Sequence, residues 1–108
     1  MKIWEIWVVW LPSIDGHEQY GTRPAVIVGD PTLSVVIVVP LTANHKYLKF
    51  PYTVLISPSI LNGLNQDSVA LVFQSRVIDK RRFRNKLGQI SAREGKEIKV
   101  AFKKLFDL

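Results

Sequence analysis

The residues with the clearest chemical potential are Arg23 and Thr42, with His17, Glu18 and Gln19 close by in sequence. Arg23 lies between a loop carrying Gly16 and Gly21 and an apolar run that opens at Pro24. The proline pushes the Arg23 backbone toward an extended conformation. An arginine held at the mouth of a strand presents a planar fork of donors that fits a phosphate. Thr42 closes another apolar run and offers a hydroxyl. The imidazole of His17 and the carboxylate of Glu18 are candidate proton acceptors if the loop brings either within hydrogen-bond reach. Taken singly, Arg23 reads by default as a surface or structural group. Thr42 alone is more often a strand-end hydroxyl bonded to its own backbone. Other chemistries are excluded more firmly. The chain has no cysteine, so disulfides, thiolate metal sites and cysteine nucleophiles are absent. Its two histidines, His17 and His45, do not suggest a multi-histidine metal centre. No phosphate-binding P-loop, dinucleotide fingerprint, HExxH or GxSxG motif occurs, and neither cofactor nor metal is expected.

The 108 residues fit one domain, taken as 1–108, with 47% apolar and 22% charged residues in an ordinary globular balance. Fifteen Lys and Arg against nine Asp and Glu leave a net charge of +6. The excess is concentrated: residues 76–104 hold eleven bases and three acids, and the rest of the chain is slightly acidic. Five bases fall within Lys80 to Lys86, a density suited to phosphate contacts or simply to a solvated turn. Phe83, inside that cluster, reads as an anchor for the turn. The apolar N-terminal stretch is broken by Glu5 and ended by Pro12, too short for a bilayer span of ~20 residues. With no signal-peptide cleavage pattern, a cytoplasmic protein without membrane association is expected.

The elements that must position these groups are mostly strands. Residues 2–11 are rich in β-branched and aromatic types and predict a strand apolar on both faces, with a partner subunit over one of them. Residues 12–22 read as a loop longer than a hairpin requires. Strands follow over 24–29, 34–41, 52–57 and 68–77, with Pro40 marking an end or a bulge. The turn-rich stretch 58–66 has room for one helical turn. A basic connection runs from Asp79 to Gly88, with a short helix at its start, and 86–90 makes a last short strand. Ser91 and Glu94 have the spacing of a capping box. Ile98, Ala101, Phe102 and Leu105 then form an apolar stripe, predicting a helix over 92–106. The sum is a mostly β fold: five to seven short strands in a small, strongly bent antiparallel sheet or barrel, with a C-terminal helix.

Several segments together resemble the MazF/PemK (Kid) family of toxin endoribonucleases. They are Gly16-His-Glu-Gln-Tyr-Gly-Thr-Arg-Pro-Ala-Val-Ile-Val28, Val39-Pro-Leu-Thr-Ala43, Asp67-Ser-Val-Ala-Leu71, Gln74-Ser-Arg-Val-Ile-Asp-Lys-Arg-Arg-Phe83 and Lys86-Leu-Gly-Gln-Ile-Ser91. The opening Ile6-Trp-Val-Val-Trp-Leu-Pro12 is similar to the family's first strand. The resemblance covers nearly the whole chain in order. It implies an SH3-like small barrel, usually homodimeric, that cleaves single-stranded RNA, often mRNA, at a short sequence without a metal. It also implies a cognate MazE/PemI-like antitoxin whose tail fills the RNA groove, with operator DNA bound only through the toxin–antitoxin complex.

On that resemblance Arg23 and Thr42 carry the catalysis, His17 is a candidate acid or base, and Glu18 and Gln19 shape the site. Gln74 and Arg76 match the family's Q-x-R and with Gln19 are expected to bind RNA, while Lys80, Arg81 and Arg82 are the expected contacts to flanking phosphates or to the antitoxin. The chain departs from the Kid branch at Leu71 and Phe73, where that branch has an arginine and an aspartate. The loop after Asp30 is also shorter. Neither Leu71 nor Phe73 can do acid–base work. The departures keep in view a toxin-fold protein that binds RNA, antitoxin or operator DNA without cutting. A gyrase-binding poison of the CcdB type shares the fold but lacks the G-x-R-P loop.

Overall fold

The computed structural model describes residues 1–13 and 16–108. Seven strands form one sheet: β1 (Glu5–Leu11), β2 (Gly21–Ile27), β3 (Val35–Thr42), β4 (Thr53–Ile56), β5 (Ser68–Leu71), β6 (Arg76–Asp79) and β7 (Phe83–Gln89). The helix α1 (Ala92–Leu105) follows. Every strand pair is antiparallel, in the order β4-β5-β3-β2-β1-β7, with β6 beside β3. Tight 3-10 turns occupy His45–Lys49, Val72–Gln74 and Lys80–Arg82.

The strands bury side chains on both faces. Ile6, Val26, Val39, Leu41, Val54 and Ile56 share one apolar cluster with Ile98 and Ala101 of α1. Val9, Leu11, Ala25, Ile27, Val36, Val38 and Ile78 form a second cluster. The alternation along β2 and β3 separates the two sets to opposite faces, as period-2 side chains require. The helix is held at its start by the capping box: Glu94 N–H donates to Ser91 Oγ at 3.1 Å, and Ser91 N–H donates to Glu94 Oε1 at 2.9 Å. Gly95, which weakens a helix by itself, sits where a Cβ would stand 3.1 Å from the Trp4 ring. Its bareness lets α1 settle onto the ring. Ile98 is fully buried on the same helix, so truncating it to Ala costs about 2–5 kcal/mol.

The structure corrects three expectations. The predicted strand over 68–77 is two strands. Both β5 and β6 run along the same edge of β3, with Leu41 opposite Ala70 and Val38 opposite Arg76. Residues 39 and 40 of β3 thus face residues 71–75, and the 3-10 turn Val72–Gln74 takes up the excess. The break falls beside Pro40, which lacks the N–H a continuous ladder would use. The last strand is also longer than 86–90, since β7 begins at Phe83 directly after the turn Lys80–Arg82. Residues 58–66 hold a turn at 60–62 but no helix, and Asn62 organises the chain there. Its buried Oδ1 accepts from Ser59 N–H and Leu64 N–H, and its Nδ2 donates to Ser57 O.

The tryptophans of the first strand are largely used within the chain. Trp4 packs on α1, and Trp7 meets Phe83 edge-on at 5.8 Å. Trp10, 38% exposed, lies under the Arg82 guanidinium at 4.8 Å. The more open apolar face belongs to β3 and β6, where Val35, Ile37 and Val77 point outward and Ile37 stands opposite Val77.

Candidate active site

The paired strands β2 and β3 carry Arg23 and Thr42 at the same end of the sheet. Ala25 stands opposite Pro40, Val26 opposite Val39 and Ile27 opposite Val38. Both strands run on past the last pair, β2 back to Gly21 and β3 out to Thr42, and the period-2 alternation puts Arg23 with Ala25 and Thr42 with Pro40 on one face of the sheet. Arg76, opposite Val38 on β6, belongs to that face as well. Arg23 therefore owes its place to strand pairing rather than to a flexible loop.

Each of the two side chains is tethered in a way that leaves its useful hydrogens uncommitted. Arg23 donates from Nε to Tyr20 O at 2.8 Å, which fixes the guanidinium plane. Neither terminal nitrogen of Arg23 makes a hydrogen bond among the described residues, and no carboxylate there lies within ion-pair distance. Thr42 is buried, and its Oγ1 accepts from Asn44 N–H at 3.2 Å. A hydroxyl that accepts still has its own hydrogen to donate.

The loop after residue 15 is drawn over this face by the residues that follow the break in the sheet. Gln74 Oε1 accepts from Gln19 N–H at 2.8 Å, and Gln74 Nε2 donates to His17 O at 3.1 Å. Arg76 donates from Nη1 to Gln19 O at 3.1 Å. The buried Gln19 side chain donates to the Tyr47 hydroxyl at 3.2 Å. Gln74 and Arg76 thus satisfy loop backbone groups that would otherwise be left unpaired. The side chains of His17 and Glu18 remain exposed. Glu18 folds back over Gly16, where a Cβ would stand 2.7 Å from Glu18 Oε2, and the Gly16 φ of +133° is one that only glycine adopts comfortably. Among the described residues no three His, Asp or Glu side chains converge as metal ligands.

These contacts join residues from Gly16 to Arg76. The model of PemK-like, MazF-like toxins of type II toxin–antitoxin systems matches residues 2–106. The chain belongs to the PemK/MazF toxin family. Among its relatives, an endoribonuclease MazF of Staphylococcus saprophyticus is 34% identical over 105 residues, covering 94% of this chain and 87% of that protein. Endoribonuclease MazF9 of Mycobacterium tuberculosis is 33% identical over 117 residues, covering 100% and 98%. A MazE–MazF crystal structure from Deinococcus radiodurans superposes with a TM-score of 0.70 at 25% identity, over 96% of this chain and 92% of that one.

The basic cluster is arranged differently from the family site. Asp79 Oδ1 accepts from Arg81 N–H at 2.8 Å and from Arg81 Nε at 3.1 Å. These hydrogen bonds from Arg81, and its charge, hold the Asp79 carboxyl below its ordinary value. Arg82 covers Trp10, and Arg84 donates to Arg81 O. Lys86 Nζ pairs with Glu5 Oε2 at 3.0 Å. Burial pushes the Glu5 carboxyl up, but hydrogen bonds from Trp7 and Lys86 outweigh it and leave Glu5 below its ordinary value. Phe83 packs against the second core cluster as the anchor of the turn.

The two departures from the Kid branch have different fates. Leu71 is fully buried within β5 and belongs to the interior. Phe73 lies in the 3-10 turn and reaches an open hollow beside the loop. Sequence reasoning left residues 43–51 unassigned and so missed Tyr47, whose hydroxyl holds Gln19. The one local signal was Asn44, a capping residue whose side chain accepts from Lys46 N–H at 3.0 Å. No helix among the described residues is long and apolar enough to cross a membrane.

Proposed function

We propose that this chain is a sequence-specific endoribonuclease toxin that cuts single-stranded RNA, mRNA being the natural substrate, and is neutralised by a cognate antitoxin of the MazE/PemI kind. The observation that carries the reading is the tethering of Arg23, whose Nε is held by Tyr20 O while its terminal nitrogens stay uncommitted among the described residues, beside a loop bearing His17 and Glu18 that Gln74 and Arg76 hold in place. The RNA 2′-hydroxyl attacks the adjacent phosphorus as its proton passes to His17 or Glu18. The bond from phosphorus to the 5′-oxygen breaks, and that oxygen takes a proton from water as it leaves. The products are a 2′,3′-cyclic phosphate and a 5′-hydroxyl. Arg23 directs its terminal N–H groups to the charge that builds on the non-bridging oxygens, where a fixed donor is most effective. Thr42 donates its hydroxyl hydrogen to one of those oxygens. Arg23 does not act as the base, since a guanidinium has donors and no acceptor. Gln19, Gln74 and Arg76 hold the loop in place, and Lys80, Arg81 and Arg82 offer cationic contacts to flanking phosphates.

The attack needs a nucleotide splayed out of helical geometry, hence a single strand. Homodimerisation is supported by the outward-facing Val35, Ile37 and Val77, and a cytoplasmic location suits an mRNA substrate. The MazE–MazF relative supports the antitoxin as partner. The exchange of a polar family residue for Phe73 favours a second reading, a toxin fold that binds RNA without cutting. Incubating a long RNA with the protein in EDTA and mapping the ends separates the two. Cuts at one recurring short sequence, abolished by 2′-deoxy at the scissile position, are expected. Intact RNA supports the binding-only reading, and cleavage of the 2′-deoxy substrate overturns the nucleophile.

A further inference from the structure

Beside the catalytic loop lies an open hollow of about 470 Å³ lined by His17, Lys46, Tyr47, Lys49, Phe50, Phe73 and Gln74. Three aromatic rings meet in it. Tyr47 and Phe50 are 5.8 Å apart between ring centres, as are Phe50 and Phe73. Rings packed this way usually close a core, yet Phe50 is 43% exposed. Lys49 Nζ stands 5.4 Å from the Phe50 ring centre. Lys46 is exposed nearby, and among the described residues no carboxylate lines the hollow. The hollow is tied to the candidate active site through two of its walls. Tyr47 holds the Gln19 side chain, and Gln74 holds the backbone of His17 and Gln19.

We infer that the Tyr47–Phe50–Phe73 hollow is a stacking subsite for one unpaired nucleobase of the RNA, a short distance from the scissile phosphate, with Lys46 and Lys49 meeting the backbone around it. The inference rests on the nuclease reading for the identity of the ligand and adds where a base is held. The physical fit is that of single-strand binders, which pair exposed aromatic faces with flanking cations. A volume of this size falls in the range of small-ligand pockets. The cationic rim favours an anionic ligand over an apolar peptide tail, and three aromatic rings lining the hollow favour a stacked nucleobase over the carboxylates of an acidic one. Phe73 then has a role of its own. The break between β5 and β6 turns its ring out of the sheet and into the hollow, where an aspartate would repel the backbone that Lys46 and Lys49 attract.

The test uses the full chain and a fluorescein-labelled single-stranded RNA chosen for tightest wild-type binding, with 2′-deoxyribose at any position the wild type cuts. Affinity is read by anisotropy for the wild type, Phe50→Ala and Phe73→Leu. Phe73→Leu keeps most of the buried volume if a smaller residue disturbs the turn. A series of RNAs carries one abasic nucleotide at each position in turn. Loss of a ring is expected to weaken binding about tenfold. One abasic position is expected to weaken wild-type binding similarly while costing the variants little more, because ring and base are then the same interaction. In cleavage assays the loss falls on KM. Equal affinities for variant and wild type overturn the subsite. So does an abasic series that penalises variants and wild type alike, or a loss confined to binding of an antitoxin tail peptide. A wild type that binds these RNAs but cuts none defeats the nuclease reading and still permits the stacking test.

Discussion

The strand mouth holding Arg23 and the basic turn at Lys80–Lys86 are both cationic, and they differ in what their charges are doing. In the turn, Arg81 is paired with Asp79, Arg82 is laid over Trp10, Arg84 bonds a backbone carbonyl and Lys86 is paired with Glu5. At the strand mouth, Arg23 spends one N–H on Tyr20 O, and its terminal nitrogens stay uncommitted among the described residues. The richest run of charge in the sequence is thus largely engaged with its own neighbours, whereas a single arginine is tethered so that it can act. Charge density marks where a polyanion is welcomed, and tethering marks where chemistry can be directed.

The contrast can be broken most forcefully at Arg23. Arg23→Ala is expected to lower the cleavage rate about a hundredfold or more, the scale of losing a fixed electrostatic donor. A rate within a few-fold of wild type in a single-turnover assay would put the chemistry elsewhere. Gln74→Ala tests whether the loop must be held. It removes two hydrogen bonds to the loop, Gln19 N–H and His17 O, worth about 1 kcal/mol each. An approximately tenfold slower turnover, with a small fall in melting temperature, is expected. Loss of stability with unchanged turnover would reduce Gln74 to a structural role.

The basic turn should respond more gently. Lys80→Ala or Arg82→Ala is expected to weaken RNA binding two- to threefold. Each lost phosphate contact flattens the slope of log affinity against log salt by about 0.7 for a single strand. A hundredfold loss from either variant would reverse the ranking of the two regions. Glu5→Gln probes the smallest effect. The Glu5 carboxyl lies below its usual value of 4.5 in the folded chain. Its ionised form therefore stabilises the fold at pH above the unfolded value, and that contribution is lost as pH falls through the lower folded value. The melting temperatures of wild type and Glu5→Gln should differ at neutral pH and converge in acid. A constant gap would show that burial and shape, not charge, matter at this position.

Much of the site is written in consecutive residues. Pro24 dictates an extended Arg23, the glycines of the loop permit its unusual backbone, and Ser91 and Glu94 mark the start of α1. Each depends on neighbours three or four positions away, so local chemistry suffices. The same holds for the apolar runs that became β2, β3 and β4 near their expected places. The division of 68–77 into β5 and β6 is different in kind, because it depends on Pro40, a residue thirty positions earlier that interrupts the ladder beside it. So do the clamp of Gln74 on the 17–19 backbone and the gathering of Tyr47, Phe50 and Phe73 around one hollow. The sequence by itself determined which groups could bind a phosphate and which segments would extend. Only the tertiary structure decided that Gln74 and Arg76 hold the loop beside Arg23, that the charges of residues 79–86 are largely engaged, and that Phe73 lines an open hollow. Strand register and long-range hydrogen bonds set those outcomes, and neither leaves a mark at any fixed spacing along the chain.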